Sequence, residues 1–253
     1  MIKFFRKIRQ NLLMENKTSK YFKYAIGEII LVVIGILIAL QINNWNQGIN
    51  SAKKESDLLT NLKEDLINDL QLLKEQDSSF SIKEKEGKQA IELFYKAKTV
   101  KDIDSVLKLI NARWNVLYMN NNTYNEMINT GSMYSLKNKT LQQLITRYYL
   151  TAEADKSYIK IVNQGQTELF NRSPDMYPFQ FLVERYRNST IDIKRIDTSW
   201  INNPNSKTYL AIYKYLSLNQ STNNTYRRSV YQRNIKRAKK LLKEVNKELE
   251  SRN

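Results

Sequence analysis

The sequence predicts an all-α protein in which one N-terminal transmembrane helix is followed by an extramembrane helical bundle. Three observations support this fold class. An apolar run of membrane-spanning length lies near the N-terminus. Only three prolines and six glycines interrupt the 253 residues, so long helices are favoured. Apolar residues also recur at spacings of three and four in several later stretches, which is typical of amphipathic helices.

The transmembrane helix is predicted over residues 24–42, within which residues 29–40 are all apolar or glycine. At 1.5 Å per residue this stretch reaches roughly 28 Å, close to the thickness of the hydrocarbon core. Tyr21 before it and Trp45 after it are typical of membrane interfaces. The alternatives are a buried helix of a soluble core and a cleaved signal peptide, for which Ala39-Leu40-Gln41 is a poor cleavage site.

The basic residues around this helix predict its orientation. Seven Lys and Arg residues precede it, and the first one after it is Lys53. The positive-inside rule then makes residues 1–23 cytoplasmic and residues 53–253 periplasmic, in the cell inner membrane. Residues 1–23 are also amphipathic, so they either rest on anionic lipid or serve only as a topology signal. Residues 43–52 are predicted to be a polar linker broken at Gly48.

Glu28, Gly35 and Ala39 fall close to one face of the predicted transmembrane helix. Small residues four positions apart allow two helices to approach closely. We therefore hypothesise a homodimer formed through this face. Glu28 lies about one turn from the cytoplasmic end, where it can also reach water or Lys23.

Several stretches of the chain match the motifs of a known family. They are residues 3–9, 15–17, 24–29, 35–46, 123–127 and 130–132, with Leu136-Lys137-Asn138-Lys139, Leu141, Ile145 and Tyr148-Tyr149. In these stretches the chain closely resembles an uncharacterised family of single-pass membrane proteins, a domain of unknown function abundant in flavobacteria and related Gram-negative Bacteroidota. The resemblance implies an inner-membrane location with a periplasmic domain, and it implies that Glu28 belongs to a recurring pattern. It implies no activity.

The extramembrane domain is predicted to consist of helices with one irregular stretch, residues 171–207, which contains all three prolines. Asp102 is interpreted as the cap of the third helix, Thr123 and Glu126 as a capping box, and Gly131 as a left-handed terminator. The helices are predicted at 53–76, 82–98, 102–117, 123–131, 141–165, 179–187, 207–218 and from 224 onward.

The last helix carries a coiled-coil-like stripe with spacings of four and three. The stripe consists of Tyr231, Ile235, Ala238, Leu242, Val245 and Leu249. We predict that it packs antiparallel against the leucines of residues 59–73 to form a bundle.

Composition excludes several kinds of catalytic site. The chain has no cysteine and no histidine, which rules out disulfides, the usual Cys/His zinc sites and nucleophiles activated by imidazole. No two glycines are close enough to form a phosphate-binding loop. Acids such as Glu64, Asp65 and Asp69 are interpreted as surface residues. We therefore predict no catalytic residue, no cofactor and no metal, and we expect that the protein is not an enzyme.

Two sets of side chains are candidates for contact with partners. Residues 227–243 carry eight basic side chains and no acid, and their face either contacts anionic lipid or is simply solvated. Nucleic acid is not expected, because the predicted topology places this helix outside the cytoplasm. The anionic-surface candidates are Arg233, Lys236, Arg237 and Lys240. The ligand or partner candidates are Tyr148, Tyr149 and Tyr158, which are otherwise core and rim residues.

These features predict a membrane-anchored periplasmic helical module without enzymatic activity. Its partners would be membrane lipid and an unidentified envelope protein, for which it acts as a scaffold or adaptor. The alternative function is a periplasmic small-ligand sensor that signals through a partner in the membrane.

Overall fold

The computed structural model describes residues 18–110, 116–188, 191–218 and 223–252. Within these ranges every regular element is helical and none is a β-strand, which confirms the all-α prediction. The chain divides into two compact units, Met1–Asp57 and Leu58–Asn253.

The described ranges contain eight α-helices connected by turns. They are α1 Thr18–Lys96, α2 Val100–Leu109, α3 Asn122–Asn129, α4 Ser132–Ser135, α5 Lys139–Asn171, α6 Tyr177–Arg187, α7 Lys207–Tyr215 and α8 Asn223–Glu250. Short 3₁₀ turns at Pro174–Met176, Ile193–Arg195 and Ser199–Asn202 accompany α6 and α7. The helices predicted at 179–187, 207–218 and from 224 are present as α6, α7 and α8.

Helix α1 continues through two places where the sequence predicted an interruption. Both the expected break at Gly48 and the gap at residues 77–81 are wrong, because the helix is continuous there. Helix α5 likewise passes Gly165 and ends at Asn171. Glycine inside a helix costs about 1 kcal/mol relative to alanine but keeps its backbone hydrogen bond. Only proline removes that bond, and residues 18–96 contain none.

The first unit contains the apolar part of α1. An 18-residue stretch there has a mean hydropathy of 2.6, and none of it is buried in the protein. Large side chains such as Leu31 and Leu37 are more than half exposed. By length and composition, this is the helix of the described chain that could cross a membrane. A signal sequence would have the same features.

The second unit is a bundle of three long helices, α1 from Leu58 onward, α5 and α8. Helix α8 packs closely on α5, and leucines of α1 complete the core. Within α8 the predicted stripe faces inward: Tyr231, Ala238 and Val245 are buried, and the other three members are partly buried against the core.

Contacts between α1 and α8 confirm the predicted antiparallel pairing. The rings of Phe80 and Tyr231 stack at 5.4 Å near one end. At the other end Leu62 shares a core cluster with Leu241 and Val245. Residue numbers thus increase along α1 while they decrease along α8.

A further core lies at the end of the second unit where α1 finishes. There α2, α6 and α7 surround Trp200, which contacts both Phe94 and Phe179 at ring distances of 6.4 Å. The 3₁₀ turns place Trp200 and Ile201 inside this core. This part of the chain, predicted as irregular, is therefore well packed.

Three capping predictions have different outcomes. Thr99, not Asp102, caps α2, while Asp102 completes the capping box from the third helical position. Thr123 lies inside α3 rather than at its cap. Gly131 has φ 72°, which confirms the left-handed conformation that glycine adopts without strain. Helix α2 ends at Leu109, so Leu117 lies outside it.

Candidate functional site

Glu28, Gly35 and Ala39 lie along one side of α1 in the first unit, because residues four and seven positions apart share a helical face. A Cβ atom placed on Gly35 would meet no atom within 4 Å beyond its chain neighbours and the adjacent backbone of its own helix. The surface around Gly35 is thus open to a second helix. The homodimer itself stays a hypothesis.

Two of the four anionic-surface candidates form ion pairs with Asp155 on α5. The guanidinium of Arg237 lies 2.6 Å from one carboxylate oxygen of Asp155, and that of Arg233 lies 3.5 Å from the other. Lys236 and Lys240 are exposed, and neither has an acidic partner in the described ranges. The basic face of α8 therefore serves partly to hold α8 against α5.

A groove of about 250 Å³ opens between α5 and α8 beside these ion pairs. Arg147, Arg237 and Lys240 supply three positive charges, and Thr151 supplies a hydroxyl group. Leu144, Tyr148 and Leu241 complete the lining. Cations around a partly apolar groove can bind an anionic group that carries a hydrocarbon portion.

The tyrosines proposed as ligand or partner contacts separate into two groups. Tyr148 and Tyr149 are each 3% exposed, so the interpretation as surface contacts is wrong for them and the alternative, that they are core residues, is confirmed. Tyr158 is 40% exposed and its ring lies 4.7 Å from that of Tyr226. Of the three candidates, Tyr158 alone is available on the surface.

Tyr148 contributes to a buried polar network that joins α5, α1 and the segment before α3. Its hydroxyl donates to Asp69 Oδ2 at 3.0 Å, and the Asn120 backbone N–H donates to Asp69 Oδ1 at 2.7 Å. The Asn120 side-chain amide donates to Asp65 Oδ1 at 2.6 Å. The Thr123 N–H donates to Asp65 Oδ2 at 3.2 Å.

The interpretation of Asp65 and Asp69 as surface acids is therefore wrong. Asp69 is fully buried and Asp65 is 8% exposed. Their spacing explains this burial, because Asp65 and Asp69 each lie three residues after an inward-facing leucine, Leu62 or Leu66. Every carboxylate oxygen in the pair accepts a hydrogen bond, so the network positions residues 120–123 against α1.

Burial controls the ionisation of this network. It raises the pKa of Asp69 to about 6, against the opposing effect of the hydrogen bonds from Asn120 and Tyr148. Burial also raises the pKa of Tyr148, as does the negative charge of Asp69. Asp69 thus changes charge near neutral pH, whereas Tyr148 stays protonated and donates.

Arg227 was predicted to belong to an exposed basic run, but it is 3% exposed. Its Nη2 atom donates to Asn163 Oδ1 at 2.7 Å and to Gln166 Oε1 at 2.8 Å, while Nη1 donates to Asn224 Oδ1 at 3.2 Å. All three acceptors are neutral amides. Nothing in the sequence distinguishes Arg227 from its neighbour Arg228, which pairs with Asp77 and Glu84.

A family model described as "Family of unknown function (DUF6090)" matches residues 28–175, more than half of the chain. The chain belongs to this family. No curated protein and no solved structure matches it. Membership of DUF6090 confirms the resemblance to a family of unknown function, while the predicted topology and taxonomic range stay predictions.

The part of the chain that matches DUF6090 includes the apolar segment of α1 and the whole Asp65–Asp69 network. Helix α8, with Arg227, Arg237 and Lys240, lies outside the match, whereas Arg147 of the groove lies inside it. Among the described residues of this DUF6090 protein, no group of three acids could hold a metal ion. The geometry therefore offers binding surfaces on α5 and α8 and a structural network on α1.

Proposed function

We propose that this DUF6090 protein is a membrane-anchored interaction module of the cell envelope, without enzymatic activity of its own. The N-terminus is cytoplasmic, residues 24–42 cross the inner membrane, and residues 53–253 form a periplasmic scaffold or adaptor domain. One observation carries the proposal. A single helix, α1, contains both an apolar stretch with no buried residue and leucines of the bundle core.

The free energy of apolar burial supports the membrane anchor. Leaving a leucine or isoleucine side chain in water rather than in an apolar medium costs about 1.5–3 kcal/mol. Residues 29–40 contain ten side chains at least as large as valine, so exposure of this stretch to water would cost more than the stability of an ordinary domain. A bilayer removes that cost, and the seven preceding cations orient the helix.

Cysteine labelling tests the location and the orientation, because the chain has no native cysteine. We expect a membrane-impermeant maleimide to label Ser157→Cys in intact spheroplasts, and to label Lys7→Cys only after lysis. If only Lys7→Cys were labelled in intact spheroplasts, the orientation would be opposite to the proposed one. Recovery of the full-length protein in the soluble fraction would refute the anchor.

The dimer hypothesis is tested separately in the same protein, which has no native cysteine. Single-Cys variants across residues 31–42 should form disulfide-linked dimers at positions three and four apart, in phase with Gly35 and Ala39. Crosslinking at every position, or at none, would contradict a specific helix pair. A monomer would still be compatible with the anchor itself.

The groove between α5 and α8 favours a second candidate function, a periplasmic sensor of a small anionic ligand that signals through a membrane partner. A ligand should raise the melting temperature of the protein in detergent, and Arg147→Gln with Lys240→Gln should abolish the rise. A scaffold should instead give the same photo-crosslinked partner from Tyr158 in every growth medium. Each result favours one function over the other.

A further inference from the structure

The environment of Arg227 is unusual for a buried charge. Its guanidinium is held by the amide oxygens of Asn163, Gln166 and Asn224, and it forms no ion pair with a carboxylate of the described ranges. Its Nε atom is buried and has no hydrogen-bond partner there. A buried arginine is normally paired, because removal of an ion from water costs several kcal/mol.

The acidic side chains of the described ranges that lie near α8 have other partners. The nearby Glu84 and Asp77 accept from Arg228, at 3.4 and 3.1 Å. Asp155 pairs with Arg233 and Arg237. The internal segments 111–115, 189–190 and 219–222, which lie outside the described ranges, contain neither aspartate nor glutamate. The described part of the chain therefore supplies no negative charge that pairs with Arg227.

Two further polar groups meet at the same place. Tyr231, one turn after Arg227 on α8, is fully buried, and its hydroxyl has no partner in the described part of the chain. The rings of Tyr231 and Phe80 stack, and the Arg227 guanidinium lies 5.8 Å from the centre of the Phe80 ring. The ammonium group of Lys83, also buried, lies 4.5 Å from that centre. Arg227, Lys83 and the Tyr231 ring thus all lie beside the Phe80 ring.

We propose that this cluster is a binding site for a small inorganic anion of the chloride class, held by Arg227 Nε and the Tyr231 hydroxyl. Both donors are buried and lack a partner in the described ranges, and the positive charge of Arg227 favours an anion over a water molecule between them. Arg227 and Tyr231 are almost fully enclosed, which selects a monatomic ion over a larger organic anion. The ion would link α8 to α1 and, through Asn163 and Gln166, to α5.

Burial acts on Arg227 in the direction that this site requires. It lowers the pKa of the guanidinium, which means that the charged form is destabilised where it lies. A bound anion reverses this effect. The site is independent of the proposed membrane function, since all of its residues lie in the second unit.

Thermal unfolding of the full-length protein in detergent tests the site. Sodium chloride is varied against sodium gluconate at constant ionic strength, because gluconate is too large for the enclosed cluster. Above the dissociation constant, the melting temperature should rise by about 3 °C for each tenfold increase in chloride. Arg228→Gln, a variant of the adjacent and carboxylate-paired arginine, should keep this dependence.

Two variants and one crystallographic measurement make the test decisive. Arg227→Met should abolish the chloride dependence, and Tyr231→Phe, which retains the stacked ring, should weaken it even if Arg227→Met fails to fold. Crystals soaked in bromide should show an anomalous peak beside Arg227 Nε. Equal melting temperatures in chloride and gluconate, an unchanged dependence in Tyr231→Phe, or water in place of bromide would each overturn the proposal.

Discussion

Asp69 and Arg227 are two buried charges in the same three-helix bundle, and they are accommodated differently. Asp69 accepts hydrogen bonds at both oxygens, from Asn120 and Tyr148. Arg227 donates to three neutral amides, and its Nε atom lacks a partner in the described ranges. Both side chains lie where helix spacing would otherwise place apolar residues.

The difference follows from acid–base chemistry. A buried carboxyl group avoids the cost of desolvation by taking up a proton, and the pKa of Asp69, raised to about 6, shows how close it is to doing so. Guanidinium cannot lose its proton in the accessible pH range. A buried arginine therefore needs a counter-ion where a buried aspartate needs only hydrogen-bond donors. Every carboxylate oxygen of Asp69 has a partner, whereas Arg227 Nε and the Tyr231 hydroxyl have none in the described part of the chain.

Among the variants that test this comparison, Asp69→Leu should have the largest effect on the free energy of unfolding. This change leaves the half-buried Asn120 N–H and the buried Tyr148 hydroxyl without an acceptor, at about 1–3 kcal/mol each. We expect a loss of roughly 4 kcal/mol in the free energy of unfolding, measured by urea denaturation at pH 7 in detergent. Asp69→Asn is the matched control, since its amide oxygen still accepts from Asn120, and it should lose about 1 kcal/mol. Equal losses in the two variants would show that the network does not depend on these hydrogen bonds.

The next largest effect should be the pH dependence of stability. The pKa of Asp69 is about 6 in the folded protein and 3.8 in its ordinary environment. The folded state therefore binds more protons between these values, and its stability falls as the pH rises through 6. The contribution is fully present below pH 4, and about 3 kcal/mol is lost by pH 7, at about 1.4 kcal/mol per pKa unit.

Asp69→Asn isolates this contribution, because asparagine does not titrate. The difference in unfolding free energy between the wild type and Asp69→Asn should change across pH 4–7 and stay constant above that range. A difference independent of pH would mean that Asp69 has an ordinary pKa. The surrounding charges are shared by both proteins and cancel in the subtraction.

Sequence patterns predicted the apolar faces of the bundle well. The spacing of Tyr231, Ala238 and Val245 on α8 placed them in the core and gave the antiparallel partner on α1, because a repeat of seven residues leaves little choice of face. The left-handed Gly131 was likewise predictable, since few other residues adopt that conformation at low cost.

Polar positions were predicted poorly, for a physical reason. Asp65 and Asp69 share the helical face of Leu62 and Leu66, yet charge alone suggested that they lie on the surface. Arg227 stands beside Arg228 in a continuous basic run, and only the opposing residues of α5 and α1 make one buried and the other paired. The predicted helix break at Gly48 failed because a polar stretch without proline can remain helical.

The smallest expected effect compares two tyrosines, one from each cluster. Tyr148→Phe removes a hydroxyl that donates to Asp69, at a cost of about 2 kcal/mol for a bond to a charged group. It should also raise the pKa of Asp69, because that hydrogen bond lowers it.

Tyr231→Phe removes a hydroxyl with no partner in the described ranges, so in gluconate it should change the unfolding free energy by less than about 0.5 kcal/mol. In chloride the same change should become measurably destabilising, because the hydroxyl then has the ion to bind. If Tyr231→Phe costs as much as Tyr148→Phe in gluconate, its hydroxyl already has a partner, and the contrast between the complete and the incomplete cluster disappears.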